Sequence, residues 1–242
     1  KQQIYKWVNK KVARKSSHII TISNFVKNDL IKFTGVNPEK ITVTLESADE
    51  LPKGNEPVDE LIGKKFIMYI GRPTPHKNLR RLIDAFALLQ KKYPDLTLAL
   101  AGKKDSNYAR HETYVNEHGI KNVVFTGFIS DEQLRWMYEN AAVYCFPSLS
   151  EGFGLPGLEA MLHGAPVASS TATCLPETHG DAAHYFDPFS VEDIAKSIDD
   201  ILSDDKLRNE LVKKGKKHVK TFSWQRMAEQ TLAVYEKYGR KS

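Results

Sequence analysis

From residue 66 onward the chain alternates short apolar runs with stretches of helical period. That alternation limits the fold more than any other feature of its 242 residues. Runs at Phe66–Ile70, Leu96–Ala101, Val123–Thr126, Val143–Phe146, Pro166–Ser169 and Ala183–Phe186 predict strands. Helices are predicted near 79–92, 108–118, 131–140, 157–163, 191–202, 204–218 and 224–238. The first of them carries Leu79, Leu82, Ile83, Phe86 and Leu89 on one face. Apolar strands that alternate with helices imply an α/β fold with a parallel sheet covered on both faces. In such sheets ligands bind beyond the carboxyl ends of the strands.

The earlier part reads differently. Ile4, Tyr5, Val8 and Val12 share a face of a helix over residues 3–15, and Ile19–Ile22 and Ile41–Thr44 are short strands. Between them Ser23 caps a helix from about Phe25 to Phe33, which Gly35 ends. Pro52, Gly54 and Pro57 mark residues 48–60 as a linker. A 41% apolar content supports a packed core, and no run of eighteen apolar residues predicts a membrane span. The start has no apolar leader core, and the two cysteines, Cys145 and Cys174, have no metal spacing. A reducing cytoplasm is the expected setting. The net charge of +5 gathers at the ends, on Lys6, Lys10, Lys11, Arg14 and Lys15, and on Lys213, Lys214, Lys216, Lys217 and Lys220. Solvated helix faces account for these runs. No aromatic-and-basic motif points to nucleic acid. Attraction to an anionic membrane surface, at its inner face, is a further reading. The eight histidines have no ligand spacing, so no metal is expected.

Two loops that follow strands carry the chemistry. The segment Glu151-Gly152-Phe153-Gly154-Leu155-Pro156-Gly157-Leu158-Glu159 places seven residues between two carboxylates. Pro156 suits the first turn of a helix, and the glycines let backbone approach a ligand. The free amides of that turn favour an anion such as phosphate. A nucleotide sugar would offer hydroxyls, a diphosphate and a ribose. The same letters fit the dinucleotide fingerprint G-x-G-x-x-G, but their context does not. Five residues, Pro147 to Glu151, separate strand from glycine, and the next strand ends in Ser169-Ser170-Thr171 rather than in an acid. In the second loop, Gly71-Arg72-Pro73-Thr74-Pro75-His76-Lys77-Asn78, Asn78 is the expected N-cap. Arg72 and Lys77 are expected to stand together, two cations suited to a diphosphate or simply two surface charges. A third loop, Gly127 to Gln133, predicts a capping box between Ser130 and Gln133.

Together these segments resemble the family-4 retaining glycosyltransferases of GT-B fold, whose donor motif is Glu, seven residues, Glu. The resemblance implies that Glu151 contacts the transferred sugar and Glu159 the ribose. It implies that amides around Phe153, Gly154 and Leu155 face the sugar and the β-phosphate. Gly71, Arg72 and Lys77 match the family's Gly-Arg and Lys-Asn pairs, with the two cations facing the leaving diphosphate. Phe128 and Ile129 follow the glycine near which the family holds the base, although burial against the sheet would equally explain their side chains. Leu175-Pro176-Glu177 matches a helix start near the site. The closest look is that of bacterial mannosyltransferases of polysaccharide assembly, which implies GDP-mannose and a glycan or lipid-linked acceptor. No cofactor or metal is expected, with front-face transfer and retention of configuration.

On this resemblance residues 61–220 are the donor-binding domain, a Rossmann-like second domain. Residues 1–47 are the tail of a first, acceptor domain. Residues 221–242, with Phe222-Ser223-Trp224, form a helix that packs back toward that first domain. The missing first domain is then a required partner, and the chain alone is expected to be inactive toward acceptors. A non-catalytic nucleotide-sugar-binding or scaffold subunit is the other reading, and a NAD-dependent oxidoreductase a distant third.

Overall fold

The computed structural model describes residues 2–54 and 56–239. Each expected end or linker segment therefore includes residues outside the described ones: Lys1, Asn55 and residues 240–242. The chain divides into two compact units, Lys1–Ser47 with Thr221–Ser242, and Ala48–Lys220.

The smaller unit holds helix α1 (Gln2–Lys15), strand β1 (Ile19–Thr21), helix α2 (Asn24–Thr34) and strand β2 (Ile41–Val43). Strands β1 and β2 pair in parallel, Ile19 opposite Ile41. The Ser23 hydroxyl accepts from the Val26 N–H at 3.2 Å and starts α2. Gly35, at φ 69, ends it with its N–H on the Ile31 carbonyl. Ile4, Tyr5, Trp7, Val8 and Val12 all lie exposed on α1.

The larger unit follows in strict alternation. Its elements are β3 (Phe66–Ile70), α3 (Leu79–Leu89), β4 (Thr97–Ala101), α4 (Ser106–Glu117), β5 (Val123–Gly127), α5 (Asp131–Asn140) and β6 (Val143–Phe146). Then come α6 (Leu155–Leu162), β7 (Val167–Ser170), α7 (Leu175–His179), β8 (Ala183–Phe186), α8 (Val191–Ser203) and α9 (Asp205–His218). Helix α10 (Trp224–Tyr238) belongs to the smaller unit and shows Trp224, Leu232 and Tyr235 to solvent.

All six strands of the larger unit are parallel, in the order β5-β4-β3-β6-β7-β8. The apolar runs explain this. Phe66 to Tyr69 and Leu98 to Ala101 are fully buried, as strands covered on both faces must be. The predicted face of α3 is buried too, and packs with Ile67, Leu98 and Leu100 of the sheet and Ile194, Ile198 and Ile201 of α8. The predicted capping box forms. The Ser130 hydroxyl accepts from the Gln133 N–H and the Gln133 side chain from the Ser130 N–H, both at 3.1 Å.

Element ends move for local reasons. Helix α3 stops at Leu89 rather than 92, because Pro94 disfavours helix before it and the chain tightens into turns on the Leu89 carbonyl. Strand β7 starts at Val167 because Pro166 has no N–H to give the ladder. Helix α4 starts at Ser106, two residues early, on the Asp105 carboxylate, which accepts from the Asn107 and Tyr108 amides.

Asn78 takes its expected N-cap position at the start of α3, but its side chain does other work. It has φ 59 and makes no side-chain capping bond to α3. Its buried amide donates instead to the carbonyls of Pro147, at 3.0 Å, and Pro188, at 2.7 Å. Those carbonyls follow β6 and β8. Asn78 thus ties three strand ends together, which no local capping signal describes.

Candidate functional site

The strand order reverses between β3 and β6. The loop after β3 runs one way and the loop after β6 the other, which opens a crevice at their carboxyl ends. Both motif loops emerge there.

The β3 loop opens at Gly71, at φ 145, with its N–H on the Ala101 carbonyl at 3.0 Å. A Cβ on Gly71 would lie 3.0 Å from the Tyr69 hydroxyl, so the position has little room for a side chain. Arg72 and Lys77 then part company. Arg72, with its side chain 74% exposed, pairs through Nε with Asp105 after β4 at 3.1 Å. Lys77 reaches the other way, and its Nζ lies 2.7 Å from Glu151 Oε1 after β6. Each cation holds a carboxylate of its own, where the sequence reading expected the two side by side.

Glu151 is fixed from three directions. Lys77 holds its carboxylate, which is only 13% exposed. Its N–H donates to Thr173 Oγ1 at 3.0 Å, and its carbonyl accepts from the Cys174 thiol at 3.3 Å. Thr173 adopts φ 57, a left-handed conformation that costs a β-branched residue energy. The strain aims its hydroxyl at the Glu151 backbone. Cys174 is fully buried, and burial pushes its thiol up to about 12.

The glycine turn continues into α6. Phe153 is buried, and its carbonyl accepts from the Thr178 hydroxyl at 2.7 Å. Gly154, at φ 104, takes the N-cap, so α6 begins at Leu155, two residues earlier than predicted. His179 Nε2 lies 3.2 Å from the Gly154 carbonyl. A Cβ on Gly157 would fall 2.3 Å from the same nitrogen, so this glycine is required by contact.

Glu159 sits on α6, half-buried, with the Tyr138 hydroxyl donating to its Oε2 at 3.2 Å. Burial pushes its carboxyl above the usual range. The Tyr138 bond opposes that shift, and Asp131 and Asp49 reinforce it. Phe128, after β5, is 85% exposed rather than packed on the sheet, and Ile129 beside it is half-buried. Strand β5 is two strands from β3, about 10 Å across the same edge. Glu177 is exposed in the first turn of α7.

The structure therefore brings Lys77 to Glu151 and surrounds Glu151 with Thr173 and Cys174. It sets Glu159 against Tyr138 and Arg72 against Asp105. Sequence reasoning named Arg72, Lys77, Glu151 and Glu159 but not their partners. Thr173, Thr178 and His179 carried no signal, because each acts on a residue more than twenty positions away. Among the described residues no three His, Cys, Asp or Glu side chains gather in a way that could hold a metal ion. No helix among them is long and apolar enough to cross a membrane.

Comparison with known proteins bears on the family and the fold. The family described as glycosyl transferases group 1 matches residues 54–218. The chain is 32% identical over 234 residues to O-antigen chain mannosyltransferase B of Escherichia coli, covering 90% of this chain and 60% of that protein. It is 33% identical over 235 residues to MMP alpha-(1->4)-mannosyltransferase of Mycolicibacterium hassiacum, covering 95% and 56%. It thus spans less than two thirds of the length of these relatives. Sucrose-phosphate synthase from Thermosynechococcus elongatus superposes with a TM-score of 0.84 at 24% identity, covering 97% of this chain and 61% of that one. The structure of Anabaena HepE in complex with UDP-glucose superposes at 0.79 and 22% identity, covering 93% and 65%. At such identities these structures speak for the fold, which is that of GT-B glycosyltransferases. The family match runs unbroken through the loops after β3, β5 and β6, and the chain belongs to the group 1 glycosyl transferases.

Proposed function

We propose that the larger unit binds the diphosphate of a nucleotide sugar in the crevice between β3 and β6, for glycosyl transfer with retention of configuration. The observation that carries this reading is the Lys77–Glu151 pair, a cation and a carboxylate 2.7 Å apart at the point of strand reversal. In this reading Lys77 and Arg72 exchange their carboxylate partners for the leaving diphosphate and stabilise its growing charge. Lys77 supplies a compact charge and Arg72 a fork. Glu151, relieved of Lys77, orients the sugar hydroxyls. Glu159 takes the ribose hydroxyls, and Phe128 and Ile129 line the base. Gly71 lets backbone approach the phosphates. Amides of Phe153, Gly154 and Leu155 face the sugar and the β-phosphate. With these groups the chain needs no metal ion to neutralise the diphosphate.

Two relatives named above are mannosyltransferases, and GDP-mannose is the donor we favour. Acceptor recognition would lie with a first domain, so nucleotide binding rather than transfer is the property to measure on this chain. Calorimetric titration of GDP, UDP, ADP and NAD in the presence of EDTA tests the reading. One nucleoside diphosphate should bind without metal, and Glu159→Ala should weaken it by about 1.5–3 kcal/mol. Binding left unchanged by Glu159→Ala would remove the ribose assignment, and preferential binding of NAD would overturn the donor reading.

A further inference from the structure

Two neighbouring side chains of α7 grip two consecutive carbonyls of the glycine turn. The Thr178 hydroxyl has one hydrogen and three carbonyls within reach: Phe153 at 2.7 Å, Cys174 at 3.2 Å and Leu175 at 3.4 Å. Cys174 already accepts the Thr178 N–H at 2.9 Å, and Phe153 is the shortest contact. The hydrogen therefore goes to Phe153.

His179 holds the next carbonyl. A carbonyl can only accept, so the Nε2 that faces Gly154 carries the proton. Nδ1, 3.1 Å from Ser169 Oγ, then accepts from that hydroxyl. Burial lowers the histidine to about 4, so the ring is neutral and this tautomer is the stable one. The clamp is backed in turn, since His218 Nε2 donates to the Thr178 carbonyl at 2.8 Å. The absent side chains of Gly154 and Gly157 are what let the ring lie this close, because a Cβ on either would come within 3.2 Å of Nε2.

The consequence follows from peptide geometry. No peptide bond among the described residues is cis. In a trans, planar unit the carbonyl of one residue and the N–H of the next point in opposite directions. Holding the Phe153 and Gly154 carbonyls toward α7 therefore aims the Gly154 and Leu155 amides away from it. Neither amide has an acceptor among the described residues. We propose that Thr178 and His179 are positioning residues that hold the Gly154 and Leu155 amides ready for the second phosphate of a nucleoside diphosphate. The inference rests on the donor reading above, and deepens it by naming the residues that set preference for a diphosphate over a monophosphate. Donors fixed in advance lose little freedom on binding, so loosening them weakens only the contacts they make.

The test compares calorimetric affinities for GDP and GMP, with UDP and UMP in parallel. Wild type is set against Thr178→Val, His179→Asn and His179→Gln. Thr178→Val keeps volume and removes only the hydroxyl. Gln reaches with an amide to where Nε2 stands, and Asn does not. Thr178→Val and His179→Asn should lower the diphosphate-to-monophosphate affinity ratio about tenfold, which is about 1.4 kcal/mol, with monophosphate affinity kept within about twofold. His179→Gln should retain the wild-type ratio. A wild-type preference for diphosphate that survives in Thr178→Val overturns the inference and leaves the donor reading intact. Equal losses for mono- and diphosphate in Thr178→Val would show a merely structural role and overturn it too. A wild type that binds neither GDP nor UDP overturns the donor reading and this inference with it.

Discussion

Lys77 and Glu151, separated by 74 positions in the chain, meet at 2.7 Å between Nζ and Oε1. Their side chains are only 22% and 13% exposed. A pair this sheltered is costly to break from one side, because the remaining charge is left with neither water nor partner. Lys77→Ala should therefore lower the unfolding free energy of the larger unit by about 1–3 kcal/mol. The double variant Lys77→Met with Glu151→Gln should cost less than the sum of its singles. Urea unfolding of the four proteins checks this, and strict additivity would mean that the pair contributes nothing.

Arg72 should behave in the opposite way. Its side chain is 74% exposed, so its pair with the 22% exposed Asp105 is open to solvent on the Arg72 side. Such pairs contribute about 0–1 kcal/mol. Arg72→Ala should leave the thermal midpoint almost unmoved and weaken nucleoside diphosphate binding about tenfold, the loss of one charge-assisted contact. Calorimetry beside a melting curve separates the two effects. A large drop in midpoint with unchanged affinity would count against the assigned role.

Asn78 makes two donated bonds from a buried position, and its Oδ1 accepts from Arg81 Nη1 at 2.9 Å. Asn78→Ala would leave two carbonyls and a guanidinium short of partners and place alanine at φ 59. A loss of about 3 kcal/mol is expected from the unpaired groups. Asn78→Asp should be no better, because a carboxylate cannot donate to the Pro147 and Pro188 carbonyls. Denaturant unfolding is the measurement.

Glu159 and His179 should give the stability of the larger unit opposing pH dependences. Burial raises the Glu159 carboxyl from 4.5, so the folded state binds more protons there than the unfolded state. Its contribution is complete below that value and is lost as pH rises through the higher folded value. Glu159→Gln should abolish this decline. Burial lowers His179 from 6.5 to about 4, so between those values the unfolded state binds more protons. Stability should fall as pH drops across that window, by up to about 3 kcal/mol from this group. His179→Gln should remove that part of the slope. His111 and His163, lowered chiefly by burial, will leave a residual slope in the same direction. Unfolding free energies of the three proteins between pH 4 and 7, to be compared pairwise, are the test. A His179→Gln slope equal to that of wild type would mean that the ring is not held neutral.

Local sequence pattern suffices for the sheet, its helices and the loops that carry the candidate site. Apolar runs and helical period act over a few residues, and the same is true of the Ser130–Gln133 box and of the missing N–H of Pro166. Strands and helices were therefore legible to within one to three residues at each end. The Glu151–Glu159 spacing and the Gly71–Asn78 loop were legible for the same reason, because each is one continuous turn between a strand and a helix.

Long-range contacts settle which loops meet. Parallel crossovers and the reversal of strand order between β3 and β6 carry Lys77 to Glu151 and send Arg72 to Asp105. They also make the side chain of Asn78, the N-cap residue of α3, a tie between strand ends. Loop after β7 and helix α7 then close over the turn, so Thr173 and Cys174 fix the backbone of Glu151 while Thr178 and His179 hold two carbonyls. These contacts join residues more than twenty positions apart, and their energy exists only once the sheet has formed. No local pattern encodes a threonine at positive φ or a neutral buried histidine. The protein's residues are named by its sequence, and their partners by its fold.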